Sequence, residues 1–229
     1  MTDSLASTPA ALDASSLADR LASARIVAVV TLDAAADAAP LAEALTAGGL
    51  RAVELALRTP AALAALRAMR VAAPGLLLGA GTVLSPEQAE AAQTAGADFA
   101  LAPGFDMATA RHCAVIGLPF VPGVATASEI QAALREGFRL LKWFPAEPLG
   151  GVRGLRALAA PFAHLNVRYL PLGGIDEAKA PAYLAEPAVA AVGGSWIAPA
   201  ELIRAGEWDA IRHRAAAAVA SAAAGSASK

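Results

Sequence analysis

Lys142 stands inside the apolar run Phe138-Arg139-Leu140-Leu141-Lys142-Trp143-Phe144, where a charge needs a reason. Lysine is seldom fully buried unless it is paired or at work. Desolvation favours the neutral amine, which is the nucleophilic form. A Schiff-base lysine is the chemistry this suggests. A second apolar run, Val53-Glu54-Leu55-Ala56-Leu57-Arg58-Thr59, carries a carboxylate and a guanidinium. If that run is a strand, the period of two puts positions 54, 56 and 58 on one face, and the same rule aligns Leu140, Lys142 and Phe144. An amine to form an imine, a carboxylate to move protons and a fixed cation to hold an anion would then share one cleft. The competing reading is a buried ion-pair network that satisfies only itself. One charge in a strand does not decide between them; three charges at strand ends favour chemistry.

Two glycine pairs add to this set, in Leu172-Gly173-Gly174-Ile175-Asp176 and Val192-Gly193-Gly194-Ser195-Trp196. Without a Cβ the backbone can approach an anion and turn its N–H groups towards it, and a following helix N-terminus adds a favourable dipole. Either pair alone is as well read as a turn; two pairs in successive loops point to a phosphate. Thr82, in Gly79-Ala80-Gly81-Thr82-Val83-Leu84, could donate to a substrate carboxylate or simply bond its own loop. Pro103 could be a pocket wall or a turn. His112, His164 and His213 form no metal-binding spacing. Cys113 falls within a predicted helix and reads as a small core residue. Trp143, Trp196 and Trp208 read as packing or pocket-rim aromatics.

The chain around these residues is repetitive. After an N-terminal helix over about residues 14–24, eight short apolar runs alternate with Ala-rich segments of helical length. The runs are 26–32, 52–57, 76–80, 98–102, 120–122, 138–144, 167–172 and 188–192. They do not alternate apolar with polar, which favours a parallel sheet covered by helices. Helix starts are marked by Thr59-Pro60, by Ser85-Pro86-Glu87-Gln88 and by Thr126 to Glu129, and stops by Gly48-Gly49 and Gly96. The expectation is an α/β chain folded as a (β/α)8 TIM barrel with an extra N-terminal helix, a doubly wound open sheet being the alternative. Chemistry then belongs at the C-terminal ends of the strands. Residues 1–13 are expected to be a flexible N-terminus, 14–224 a single barrel domain and 225–229 a flexible tail.

With 229 residues, 57% of them hydrophobic and 17% charged, the chain can bury a sizeable core. A net charge of -2 offers no basic footprint for nucleic acid and no polybasic face for a membrane, so the expected partner is a small molecule. One cysteine excludes an intrachain disulfide, and the N-terminus lacks the pattern of a signal peptide. A cytoplasmic protein is the expectation.

Taken together, Val53 to Thr59, Gly79 to Leu84, Pro122-Gly123-Val124-Ala125-Thr126, Lys142-Trp143-Phe144-Pro145-Ala146-Glu147, Leu172 to Ile175 and Gly193 to Trp196 resemble the 2-keto-3-deoxy-6-phosphogluconate (KDPG/KHG) aldolase family, in order and spacing, from about residue 20 to residue 215. The resemblance implies a (β/α)8 barrel, a homotrimer, and a class I aldolase using neither metal nor cofactor. Its reaction would cleave 2-dehydro-3-deoxy-6-phosphogluconate, a phosphorylated 2-keto acid, to pyruvate and D-glyceraldehyde 3-phosphate in the Entner-Doudoroff pathway. By motif, Lys142 is similar to the family's Schiff-base lysine and Glu54 to its acid/base. Arg58 and Thr82 are similar to its carboxylate binders, Pro103 and Phe144 to residues lining the site, and Gly173, Gly174, Gly194 and Ser195 to its phosphate pocket. Leu172 stands where members specific for the gluconate substrate carry Thr, a residue associated with discrimination at C4. The galactonate epimer and 4-hydroxy-2-oxoglutarate are thus alternative substrates. From other classes, a phosphosugar isomerase or epimerase, or a non-catalytic sugar-phosphate-binding barrel, would share the phosphate loops without the imine.

Overall fold

The strands are short, parallel and nearly all buried on both faces. The structure, a computed structural model, describes residues 10–224, with side chains from residue 17. The expected flexible ends fall largely outside that range: residues 1–9 and 225–229 lie beyond the described residues, and 10–13 open the first helix. In chain order the elements are α1 (Ala10–Ala24), β1 (Ile26–Val30), α2 (Ala38–Ala47), β2 (Ala52–Ala56), α3 (Ala62–Ala72), β3 (Leu77–Gly81), α4 (Pro86–Thr94), β4 (Phe99–Leu101) and α5 (Met107–Ile116). They continue with β5 (Phe120–Val121), β6 (Gly123–Val124), α6 (Ala127–Arg135), β7 (Leu140–Trp143), α7 (Gly151–Ala159), β8 (Arg168–Pro171), α8 (Ala180–Leu184), β9 (Val192–Gly194), α9 (Ala200–Arg204) and α10 (Trp208–Ala224).

The (β/α)8 TIM barrel, one closed ladder of eight strands, is not what forms. A curled six-stranded parallel sheet, ordered β5-β4-β3-β2-β1-β9, accompanies a separate three-stranded sheet, β6-β7-β8. Two local causes interrupt the ladder. Pro122, which has no N–H, splits the fifth apolar run: β5 pairs with β4, and β6 pairs with β7. At the other seam residues 188–190 meet β8 only through an isolated bridge between Tyr169 and Val189. The strand expected at 188–192 forms instead at Val192–Gly194 and pairs with β1.

Hydrophobic burial divides along the period of two. Val53 and Leu55 point to the layer beneath the helices, while Ala52 joins an interior cluster with Val27, Leu77, Phe99, Leu101, Leu140, Leu170 and Leu172. Leu17 and Leu21, one helical turn apart on α1, belong to that cluster. The helix signals are met unevenly. Thr126 and Glu129 make a full capping box on α6. Ser85 caps α4 by accepting from the Gln88 backbone, but the Gln88 side chain accepts from Leu84 rather than from the cap residue. Thr59 does not cap α3; its hydroxyl donates to the Leu32 carbonyl at 2.5 Å. Gly49 and Gly96 end their helices with φ of 82° and 94°.

Candidate active site

Lys142 on β7 and Glu54 on β2 belong to different sheets and meet across the interior. Nζ of Lys142 donates to Oε1 of Glu54 at 2.8 Å, with the residues 4% and 1% exposed. The backbone fixes each side chain from both sides: Lys142 is in register with Gly123 and Leu170, and Glu54 with Val29 and Gly79. The Lys142 ammonium stands 5.4 Å from the centroid of the Phe144 ring, within cation–π range. Such a pair is costly to break, since removing one partner of a buried ion pair destabilises by about 3–5 kcal/mol. Oε2 of Glu54 is buried without a hydrogen-bond partner. The site therefore holds one amine, one proton acceptor in contact with it, and one acceptor oxygen left free.

Gly81 makes room for Glu54, and two other glycines make room for the residues around the pair. A methyl group on Gly81 would come within 2.6 Å of Glu54 Cγ and 2.7 Å of its Cδ, and one on Gly79 within 2.7 Å of the Phe99 ring. A methyl on Gly123 would lie 2.6 Å from the Gly104 nitrogen and against Pro103. Pro103 is thus the wall facing the β6 residue paired with Lys142. These three glycines were not singled out in the sequence, where a lone glycine in an apolar run signals only a bulge or a close approach.

Just beyond the strand ends, Arg58 Nε donates to Thr82 Oγ1 at 3.2 Å. Arg58 lies past the end of β2, with its N–H on the Ala56 carbonyl at 2.8 Å, so it is exposed at the rim and not on the strand face. Thr82 follows Gly81 directly and has φ of 59°. A β-branched residue in the left-handed region is strained, and such strain concentrates at functional sites. No sequence signal announces it.

The two glycine pairs do different things. Gly173 and Gly174 have φ of 99° and 82°, so that loop requires glycine for its conformation. Gly193 and Gly194 lie within β9, not in a loop, and are required by close packing. A methyl on Gly193 would press Leu172 at 2.8 Å, and one on Gly194 would sit against the Trp196 ring and 3.1 Å from the Ile175 carbonyl. The pairs nevertheless converge, because Ile175 follows Gly174. Gly173 in turn lies beside Phe144, 3.1 Å from where a methyl would stand. Leu172, 3% exposed, belongs to the interior cluster, and Ser195 is exposed. Past the first loop, Asp176 is held below the ordinary carboxylate range by hydrogen bonds from Lys179, the side chain foremost.

Cys113 is buried in α5, and burial pushes its thiol up to about 12, which leaves it unreactive. Among the described residues no group of three or more His, Cys, Asp and Glu is placed to hold a metal ion, and no helix is long and apolar enough to cross a membrane.

Comparison with known proteins gives a consistent result. A family model described as Aldolase, KDPG and KHG aldolase, matches residues 17–214. The 2-dehydro-3-deoxy-phosphogluconate aldolase of Treponema pallidum is 47% identical over 184 residues, covering 80% of this chain and 87% of that protein. The KHG/KDPG aldolase of Escherichia coli is 41% identical over 186 residues, covering 81% and 86%. Among solved structures, a KDPG aldolase from Legionella pneumophila, with pyruvate captured at low pH as a covalent carbinolamine intermediate, superposes with a TM-score of 0.83. It is 38% identical and covers 87% of this chain and 96% of that one.

Proposed function

The chain belongs to the KDPG and KHG aldolase family, and from that premise we propose a class I aldolase that cleaves 2-dehydro-3-deoxy-6-phosphogluconate to pyruvate and D-glyceraldehyde 3-phosphate. The observation that carries the proposal is the buried contact of Lys142 with Glu54 at 2.8 Å. Before attack the ammonium must lose a proton, and an acceptor already touches it. Lys142 Nζ adds to the C2 carbonyl, giving a carbinolamine, and Glu54 carries the proton that lets water depart. The resulting iminium draws electrons as the C3–C4 bond breaks. Glu54, with the oxygen left free at Oε2, takes the C4 hydroxyl proton, and the aldehyde leaves. The enamine is then protonated at C3 and hydrolysed to release pyruvate and the free lysine. Proton transfer by a positioned group of this kind is worth about 10²–10⁴-fold.

In this scheme Arg58 and Thr82, joined at 3.2 Å, hold the substrate carboxylate, while Pro103 and Phe144 wall the pocket. Gly173, Gly174, Gly194 and Ser195 take the phosphate through backbone N–H groups and a hydroxyl. Leu172 offers only an apolar surface near C4, which leaves the galactonate epimer open as a second substrate. The name of the Escherichia coli relative gives KHG beside KDPG, which keeps 4-hydroxy-2-oxoglutarate as a further substrate. A single catalytic domain over 14–224, a homotrimeric assembly and a cytoplasmic setting accompany the proposal.

Borohydride reduction in the presence of pyruvate, followed by peptide mass mapping, tests it. The expected product is a pyruvate-derived adduct on Lys142, lost in Lys142→Met. Pyruvate release without a trapped adduct would overturn the imine. A lactate-dehydrogenase-coupled assay with the two C4 epimers and 4-hydroxy-2-oxoglutarate then ranks the substrates.

A further inference from the structure

Glu147 and Tyr183 take no part in the chemistry above, yet they tie the strand carrying Lys142 to the loop carrying Gly173 and Gly174. Tyr183, on α8, is fully buried, and its hydroxyl donates to Glu147 Oε1 at 2.7 Å. Burial, and after it Glu147, raise the phenol above its ordinary pKa, so the hydroxyl keeps its proton and remains a donor. The stem of Glu147 lies across Gly174: a methyl there would come within 2.8 Å of Glu147 Cβ and 3.0 Å of Cγ. The same seam is closed by backbone bonds, Ala146 N to the Leu172 carbonyl at 2.7 Å and Glu147 N to the Gly173 carbonyl at 3.0 Å. From the other side Lys179 reaches the Gly174 carbonyl at 3.4 Å while pairing with Asp176.

A glycine loop has no side chains with which to lock itself, so a cradle of backbone N–H groups is only as preorganised as its supports. Here the support is a carboxylate, which would repel a phosphate if it swung free. The Tyr183 hydroxyl keeps it engaged. We propose that Glu147 and Tyr183 are positioning residues that set the reach from Lys142 to the terminal phosphate, and thereby the preference for phosphorylated over unphosphorylated 2-keto-3-deoxy acids. The proposal rests on the reading of Gly173 and Gly174 as a phosphate loop.

The test compares kcat and KM of the full chain on 2-keto-3-deoxy-6-phosphogluconate and on 2-keto-3-deoxygluconate. Tyr183→Phe is expected to raise KM for the phosphorylated substrate about tenfold, the size of one hydrogen bond to a charged group. Activity on the unphosphorylated substrate should change less than about twofold, and pyruvate trapping by borohydride should stay at its wild-type rate. Glu147→Gln, which keeps the acceptor oxygen, should restore most of the preference that Glu147→Ala loses. The Glu147 variants carry the same readout should Tyr183→Phe fold poorly. A Tyr183→Phe or Glu147→Ala enzyme that loses both substrates equally, or neither, overturns the positioning role. A wild-type enzyme without preference for the phosphorylated substrate overturns the phosphate loop itself, and is recognised before any variant is made.

Discussion

Gly81→Ala is the smallest change that should separate Glu54 from Lys142. The added methyl would stand 2.6 Å from Glu54 Cγ and 2.7 Å from Cδ, where unstrained carbon contacts need about 3.5 Å. The carboxylate must therefore shift by about 1 Å. Its Oε1 now lies 2.8 Å from Lys142 Nζ, and a shift of that size leaves hydrogen-bond range. Misplacement of a catalytic group by this distance costs about 10²-fold in rate, or about 2.7 kcal/mol of transition-state stabilisation. Overpacking separately costs about 1–3 kcal/mol of stability, and each kcal/mol lowers Tm by about 2–4 °C in a chain of this size.

The assay is pyruvate release coupled to lactate dehydrogenase, run beside thermal unfolding and borohydride trapping. The expected result is a folded protein with Tm lowered by up to about 12 °C, kcat reduced about a hundredfold, and trapping slowed in proportion. Gly75→Ala serves as the control, because a methyl there meets nothing within 4 Å. A Gly81→Ala enzyme whose kcat lies within about threefold of wild type would refute the claim that Glu54 works from the position it holds against Gly81.

Three further outcomes follow from named contacts. Thr82→Gly relieves a residue at φ 59°, so Tm should hold or rise, while loss of the Oγ1 that accepts from Arg58 should raise KM for pyruvate in the condensation direction; a lower Tm with unchanged KM would contradict this. Thr126→Ala breaks the capping box of α6 and should cost about 0.5–2 kcal/mol by urea unfolding, with kcat unchanged. For Cys113 the folded thiol is pushed up to about 12, against about 8.5 in the unfolded chain, so the folded state holds a proton that the unfolded state loses in that window. Stability present below pH 8.5 is then lost as pH rises towards 12, at up to about 1.4 kcal/mol per pH unit. The stability gap between wild type and Cys113→Ala should narrow from pH 7.5 to 9.5; a constant gap would mean that the thiol is not desolvated.

The face of two of the three charges was legible in the sequence: Lys142 and Glu54 fall where the period of two puts them, on β7 and β2, while Arg58 and Phe144 lie just past the strand ends. That period states a face and never a distance, so nothing in the sequence said that Lys142 and Glu54 touch. Closure departs from the expectation for a related reason. Eight apolar runs imply eight strands, but Pro122 lacks the donor that would keep the fifth in one ladder, and the apolar stretch 188–191 satisfies itself with one bridge to Tyr169 before β9 begins. Gly193 and Gly194 looked like a loop because glycine disfavours strands, yet packing against Leu172 and Trp196 outweighs that preference. Thr59 was a plausible cap whose hydroxyl found the Leu32 carbonyl instead. The φ of Thr82 and the bond from Tyr183 to Glu147 depend on tertiary neighbours and left no local trace.

The way Glu54 is held bears on what it can do. A buried carboxylate is usually fixed by hydrogen bonds to both oxygens. Full satisfaction of that kind would occupy the lone pairs that a base must offer. Here one oxygen meets Lys142 and the other meets nothing, while the stem lies against the bare Cα of Gly81. Confinement by backbone replaces confinement by donors, so the carboxylate is placed without being quenched. Gly123, the register partner of Lys142, lets Pro103 come close against the strand beside it. Glycine in these strands weakens local propensity, a cost of about 0.5–1 kcal/mol each relative to alanine. That cost falls on positions beside the reactive pair, where a side chain would collide with Glu54 at Gly81 and with Pro103 at Gly123.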